Sequence, residues 1–149
     1  MIFATLDNTI DWNCNGTWRQ SAYNTMWCLI GCSIGDMGTI YYFQVNEIPW
    51  STLSIMLLAM TNGIITSIIL ETVILLKQMN LTSAFRTAIG MSLISMISME
   101  IAMNLVDYLV TGGAKINLMV MPLMLIAGFL TPWPYNYWRL KKFNKGCCA

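Results

Sequence analysis

The residues with the greatest chemical potential lie together in one apolar stretch near the N-terminus. Cys28, Cys32 and Asp36 recur at i, i+4 and i+8, so a helix would place them on one face, and Asn24 would extend the same stripe. Two thiols at that spacing could share one soft metal ion. A disulfide between them is disfavoured, because helical i, i+4 Cβ atoms lie roughly 5–6 Å apart and a disulfide needs about 3.8 Å. The alternative is that both are small buried packing residues.

The composition indicates an integral membrane protein. Of the 149 residues, 56% are hydrophobic and only 10% are charged, whereas soluble domains carry about 25% charged residues. A net charge of +1 gives no indication of a nucleic-acid partner. The chain has no histidine, which is the commonest general base, and shows no paired nucleophile and base. We therefore expect a protein that is not an enzyme.

Four long apolar stretches predict four membrane-spanning helices, which would form an all-α, integral membrane four-helix bundle as a single domain of residues 1–149. The predicted spans are residues 18–43, 51–76, 83–110 and 116–138. The last one carries Pro132 and Pro134 near its end, and these should kink or uncoil its final turn. Lipids are therefore expected partners of the chain.

The distribution of basic residues predicts the orientation. Four spans place both termini on one side, and seven basic residues lie on that side while Lys115 alone lies on the other. Because basic residues favour the cytoplasmic side, both termini are predicted to be cytoplasmic, in a multi-pass protein of a prokaryotic cell membrane. The seven are Arg19, Lys77, Arg86, Arg139, Lys141, Lys142 and Lys145.

The predicted spans place two acidic residues inside the membrane. Counting about 1.5 Å per residue from the ends of the first and third spans puts Asp36 and Glu100 both roughly 9–12 Å below the outer boundary. An unpaired ionised acid there costs at least ~2.5–3.5 kcal/mol, so each must be protonated, hydrogen-bonded, metal-bound or paired with another chain. Asn104 is a candidate hydrogen-bond partner for a protonated Glu100. The candidate metal ligands are Cys28, Cys32, Asp36, Met96, Met99, Glu100 and Met103, with copper or zinc as possible ions.

Two glycines beside the cysteine stripe predict a close helix contact. Gly31 and Gly35 form a small-xxx-small pair, which allows a neighbouring helix to approach at short distance. Polar side chains such as Asn104 can then bond across the contact.

Three motifs resemble an uncharacterised prokaryotic family of small polytopic membrane proteins, a domain of unknown function. They are the C-x2-G-C-x2-G-D run from Cys28 to Asp36, the SMISMEIAM run with Glu100, and the P-x-N-x-W run that begins at Pro134. The resemblance covers nearly the whole chain and implies the membrane fold and the importance of the first motif. Family members often carry His before the first Cys, where this chain has Trp27, and the family supplies no activity.

Two functions fit these residues. The favoured one is a non-catalytic accessory or structural subunit of a larger membrane enzyme complex, which can itself be metal-dependent. It rests on the small extramembrane portion, the glycine face and the two acids without a partner in the chain. The alternative is binding or transport of a soft metal ion such as copper(I) at the Cys, Met and carboxylate site.

Overall fold

A computed structural model describes residues 12–77 and 80–142 of the chain. The described residues form five α-helices and no strand, which confirms the all-helical prediction. The helices are α1 (Asn15–Val45), α2 (Thr52–Leu75), α3 (Leu81–Thr111), α4 (Met121–Leu130) and α5 (Trp133–Lys142).

Local capping groups explain where α2 begins and α3 ends. The Ser51 hydroxyl accepts a hydrogen bond from the Ser54 backbone N–H at 3.3 Å, which satisfies one of the free donors at the start of α2. Gly112 has φ of 72°, a left-handed conformation that glycine adopts without steric cost, and its N–H donates to the Tyr108 carbonyl. Helix α3 therefore ends at this glycine.

The fourth predicted span, residues 116–138, is interrupted near its prolines, as Pro132 and Pro134 predicted. Residues 116–120 lie outside any helix, and the remainder is divided into α4 and α5 by a break at Thr131 and Pro132. Proline has no backbone N–H and its ring clashes with the preceding helical turn, so Pro132 interrupts the hydrogen-bond ladder. The bonding resumes when the Asn136 N–H donates to the Pro132 carbonyl at 2.8 Å.

Two stretches in the described part of the chain are long and apolar enough to cross a membrane. They are Thr52–Leu75, with a mean hydropathy of 2.0, and Leu93–Thr111, with a mean hydropathy of 1.5. The first coincides with α2 and the second is the C-terminal part of α3. Helix α1 is as long as α3, and its buried face includes polar side chains such as Ser21, Thr25 and Asp36.

Helix α1 lies at the centre of the packing. It contacts α2 along its length and α5 near its N-terminal end, while α3 packs between α2 and α4. The buried face of α1 includes Ser21, Thr25, Cys28 and Cys32, whereas Asn24 is exposed, so its predicted place in the stripe is wrong. The buried positions of α1 are separated by three or four residues. A series with a constant spacing of four gradually rotates away from the buried face, and Asn24 lies at the end of such a series.

Hydrogen bonds and aromatic rings join α5 to the beginning of α1. The Asn136 amide donates to the Thr25 hydroxyl at 2.8 Å, and the Ser21 hydroxyl donates to the Trp133 carbonyl at 3.0 Å. The rings of Trp18 and Tyr137 stack with centroids 4.2 Å apart. These contacts fix α5 against α1 at the end of the molecule opposite the α3–α4 connection.

Candidate functional site: a buried sulfur and carboxylate cluster

Five sulfur-containing side chains from two helices form one buried cluster. Helix α1 contributes two cysteines and α3 contributes three methionines, and each of the five is at least 98% buried. The three methionines share one face of α3 because they are separated by three, four and seven residues. We define the sulfur cluster as Cys28, Cys32, Met96, Met99 and Met103.

The two cysteines of the sulfur cluster are free thiols in contact with each other. Cys28 and Cys32 are not disulfide-bonded, and their side chains lie within hydrogen-bonding range. The Ser67 hydroxyl of α2 donates to the Cys28 carbonyl at 3.2 Å and lies 3.5 Å from the Cys28 Sγ. Helix α2 therefore fixes the backbone that carries the thiols.

Glu100 lies beside the sulfur cluster and has no compensating hydrogen bond. Its side chain is fully buried, and neither carboxylate oxygen has a hydrogen-bond partner among the described residues. The carboxylate lies over Gly63 of α2 and next to Cys32, where a Cβ on Gly63 would overlap its Oε1. Buried polar groups are almost always hydrogen-bonded, so this arrangement is characteristic of a site that binds a further group.

A second buried carboxylate lies farther along α1. Asp36 is fully buried and accepts a hydrogen bond from the Asn104 amide at 3.2 Å through Oδ1. Its Oδ2 and the Asn104 Oδ1 have no partner among the described residues. Asp36 lies close enough to Glu100 and to Asp107 for their charges to interact.

Gly31 and Gly35 lie against α2. A Cβ on Gly31 would stand 2.6 Å from the Ser67 Cα, and one on Gly35 would overlap the Asn62 carbonyl oxygen. The close approach lets the Thr66 hydroxyl donate to the Gly31 carbonyl at 2.7 Å. By contrast, Gly38 on the same helix has open space around it.

One cation approaches the sulfur cluster from the α5 side. Arg139 is partly buried and interacts electrostatically with Glu71 and, more weakly, with Cys28. Burial lowers the pKa of the Arg139 guanidinium, an effect that Tyr135 and Glu71 partly offset. This proximity could not be predicted from the sequence, because it depends on how α5 packs against α1.

The structure thus brings together the two cysteines, the three methionines and Glu100, with Asp36 and Asn104 as the next neighbours. In the described residues no three Cys, Asp and Glu side chains converge closely enough to hold a metal ion by themselves. Structural zinc sites usually have four Cys, His, Asp or Glu ligands. Thiolate and thioether sulfur are instead the ligands that select copper(I).

Sequence reasoning missed three residues that shape the site. Gly63 makes room for Glu100, and Gly128 of α4 makes room for Met103, whose Cγ would lie 2.6 Å from a Cβ there. Asp107 is the third, fully buried near the end of α3. The small-residue series Ala59, Gly63 and Ser67, spaced by four, could have identified the α2 face.

These features define a helical protein with candidate membrane spans and a buried sulfur and carboxylate cluster. Residues 17–145 match a family described as a domain of unknown function, DUF4396, and the chain belongs to this family. The match confirms the resemblance to an uncharacterised family. No curated protein and no solved structure gives a significant match to the chain.

Proposed function

We propose that the protein is a multi-pass cell-membrane protein that binds a soft metal ion, copper(I), at the sulfur cluster. The observation that carries this proposal is the convergence of two thiols and three thioethers in one buried place. Copper(I) favours soft thiolate and thioether ligands over oxygen donors. The role is binding or transfer of the ion, without catalysis.

Glu100 supports this assignment through its charge. An ionised carboxylate without a partner is costly in an apolar interior, and a cation bound beside it would offset part of that cost. The unpartnered oxygens of Glu100 lie next to Cys32, at the edge of the sulfur cluster. Glu100 would therefore balance the charge of the bound ion, while the sulfurs coordinate it.

The proposal includes a membrane arrangement with four spans and both termini in the cytoplasm. Helices α1, α2 and α3 would each cross the membrane, and α4 with α5 would cross it together despite the break. The basic residues of α5 support this orientation, because Arg139, Lys141 and Lys142 lie in its last turn. The sulfur cluster would then lie within the membrane.

Copper(I) titration of the purified chain tests the proposal. The protein is kept reduced in detergent and titrated against the chromogenic chelator bicinchoninate, which competes for copper(I). We expect one tightly held copper(I) per chain, and the loss of about one equivalent in the Cys28→Ser, Cys32→Ser double variant. The matched control is Met119→Leu, because Met119 is 89% exposed and far from the cluster in the chain.

Serine keeps nearly the volume of cysteine and can bond to the preceding helical turn, so the double variant should fold. Its elution on size exclusion should match that of the unaltered chain. The proposal is wrong if the unaltered chain holds no copper(I), or if the double variant holds as much as the unaltered chain.

A second candidate function is an accessory subunit of a larger membrane complex. Its specific support is apolar surface outside the helices, where Leu118 and Met119 in the α3–α4 connection are 81% and 89% exposed. Large exposed apolar side chains at such a place are suited to contact with another protein. Purification of the tagged chain from its native membrane in a mild detergent tests this candidate. Stoichiometric co-purification of another membrane protein is expected, and isolation of the chain alone would contradict it.

A further inference from the structure

The end of the molecule that carries the α3–α4 connection has an open cavity beside Asp107. The cavity has a volume of about 510 Å³, and its lining includes Gln44, Thr111 and Lys115. Asp107 lies directly behind this lining, because its Oδ2 accepts from the Lys115 N–H at 3.1 Å and its Oδ1 from the Thr111 hydroxyl at 3.0 Å. A buried carboxylate is therefore hydrogen-bonded to two of the residues that line the cavity.

From this cavity a series of buried carboxylates leads to the sulfur cluster. Asp107 interacts electrostatically with Asp36, and Asp36 with Glu100, which lies next to Cys32. Positions 107, 104, 100 and 96 share one face of α3. The helical rise of about 1.5 Å per residue places Glu100 roughly 10 Å farther from the cavity than Asp107. The members of the series come from two helices, which are joined there by the hydrogen bond from the Asn104 amide of α3 to Asp36 of α1 at 3.2 Å.

The series contains oxygen atoms without hydrogen-bond partners in the described residues. They are the Asp36 Oδ2, the Asn104 Oδ1 and both oxygens of Glu100, and all three side chains are at least 97% buried. Ionised carboxylate oxygens and the Asn104 amide oxygen are hydrogen-bond acceptors. Each of these atoms can therefore contact a cation without first breaking a hydrogen bond.

The charge at the opposite end of the cluster has the opposite sign. Arg139 approaches Cys28 from α5, and the stacked rings of Trp18 and Tyr137 cover the neighbouring region between α1 and α5. A guanidinium repels an approaching cation, whereas carboxylates attract one. Glu71 partly offsets the charge of Arg139, and Lys115 lies in the cavity lining, so the attraction of a cation along this face comes from the buried carboxylates.

We propose that copper(I) reaches the sulfur cluster from the cavity beside Asp107, passing the carboxylates of Asp36 and Glu100 in that order. This inference rests on the proposed copper(I) site and adds the route and the side of access. The carboxylates attract and guide the ion, and the sulfurs hold it at the end of the route. In the proposed membrane orientation the cavity opens to the outside of the cell.

The rate of copper(I) loading tests the route separately from the site. Copper(I) is supplied as its coloured bicinchoninate complex to the reduced full chain in nanodiscs, and transfer is followed as loss of absorbance. We expect Asp107→Asn and Asp36→Asn each to slow loading by about tenfold or more, while the final content stays at one copper(I) per chain. Glu47→Gln is the matched control, because Glu47 is an exposed acid at the same end, and it should load at the rate of the unaltered chain.

The outcomes separate the two proposals. If the unaltered chain takes up no copper(I), the proposed site itself is wrong. If the unaltered chain fills but both Asp variants fill equally fast, the site stands and the route is wrong. The final copper content shows whether each variant keeps an intact cluster. If one Asp variant does not fill to one copper(I) per chain, the loading rate of the other Asp variant tests the route. Equal slowing in Glu47→Gln would also overturn the route, because the effect would then be one of general surface charge.

Discussion

At the residue scale, the thioethers of α3 distinguish a metal site from ordinary core packing. Met99 is fully buried in the sulfur cluster, and leucine has a similar volume, so Met99→Leu should change the free energy of unfolding by less than about 1.5 kcal/mol. The same change removes a soft ligand and should weaken copper(I) binding. Competition with bicinchoninate for Met99→Leu and for Met119→Leu measures the difference. Equal affinities in the two variants would assign Met99 to packing alone.

Glu100 gives a second prediction at this scale. Glu100→Gln retains the shape of the side chain but removes the negative charge that would balance a bound cation. We expect the affinity for copper(I) to fall on the order of tenfold, or ~1.4 kcal/mol, with the stoichiometry unchanged. A competitive titration checks this, and an unchanged or higher affinity would show that the carboxylate does not act on the ion.

At the element scale, the contact between α1 and α2 depends on two glycines. Leucine at Gly31 and Gly35 would collide with the backbone of α2, so the double variant should lose its native packing while still inserting into the membrane. Gly38→Leu is the matched control on the same helix, because a side chain there meets open space. Thermal unfolding in detergent measures both variants. A double variant as stable as Gly38→Leu would mean that the two helices do not need their close approach.

Gly63 allows a sharper test of the geometry around Glu100. Gly63→Ala alone should destabilise the fold by about 1–3 kcal/mol, because the new Cβ overlaps the Glu100 Oε1. Adding Glu100→Ala removes the overlapping atoms, so the second change should cost less in Gly63→Ala than in the unaltered chain. A double-mutant cycle of unfolding free energies gives this coupling. Strict additivity would contradict the contact.

The sequence predicted the helices better than the connections and contacts between them. Long apolar runs identify α2 and the C-terminal part of α3, and three-and-four spacing predicts that Cys28, Cys32 and the methionines lie on single helix faces. The contact of Met103 with Gly128 was not predictable, since it depends on how α4 packs against α3. Likewise, the effect of Pro132 on the helix could be expected, but the return of α5 onto α1 depends on hydrogen bonds such as that from Asn136.

At the scale of the whole molecule, the proposed orientation predicts which ends are accessible from outside the cell. Met119→Cys, in the exposed α3–α4 connection, should react with a membrane-impermeant maleimide in intact cells. Lys77→Cys, in the exposed turn after α2, should react only after permeabilisation. The unaltered chain provides the background from its own cysteines. Reaction of Lys77→Cys in intact cells would reverse or refute the orientation.

The contacts between α1 and α5 have a consequence for the order in which the protein can be made. Ser21 and its partner Trp133 are 112 residues apart, so the polar side of the first helix emerges from the ribosome long before its final neighbour exists. During that interval the thiols of α1 can be covered first by α2, which follows directly and approaches closely at Gly31 and Gly35, and next by the methionines of α3. An early α1–α2 hairpin would therefore shelter the nascent first helix until the later helices are translated.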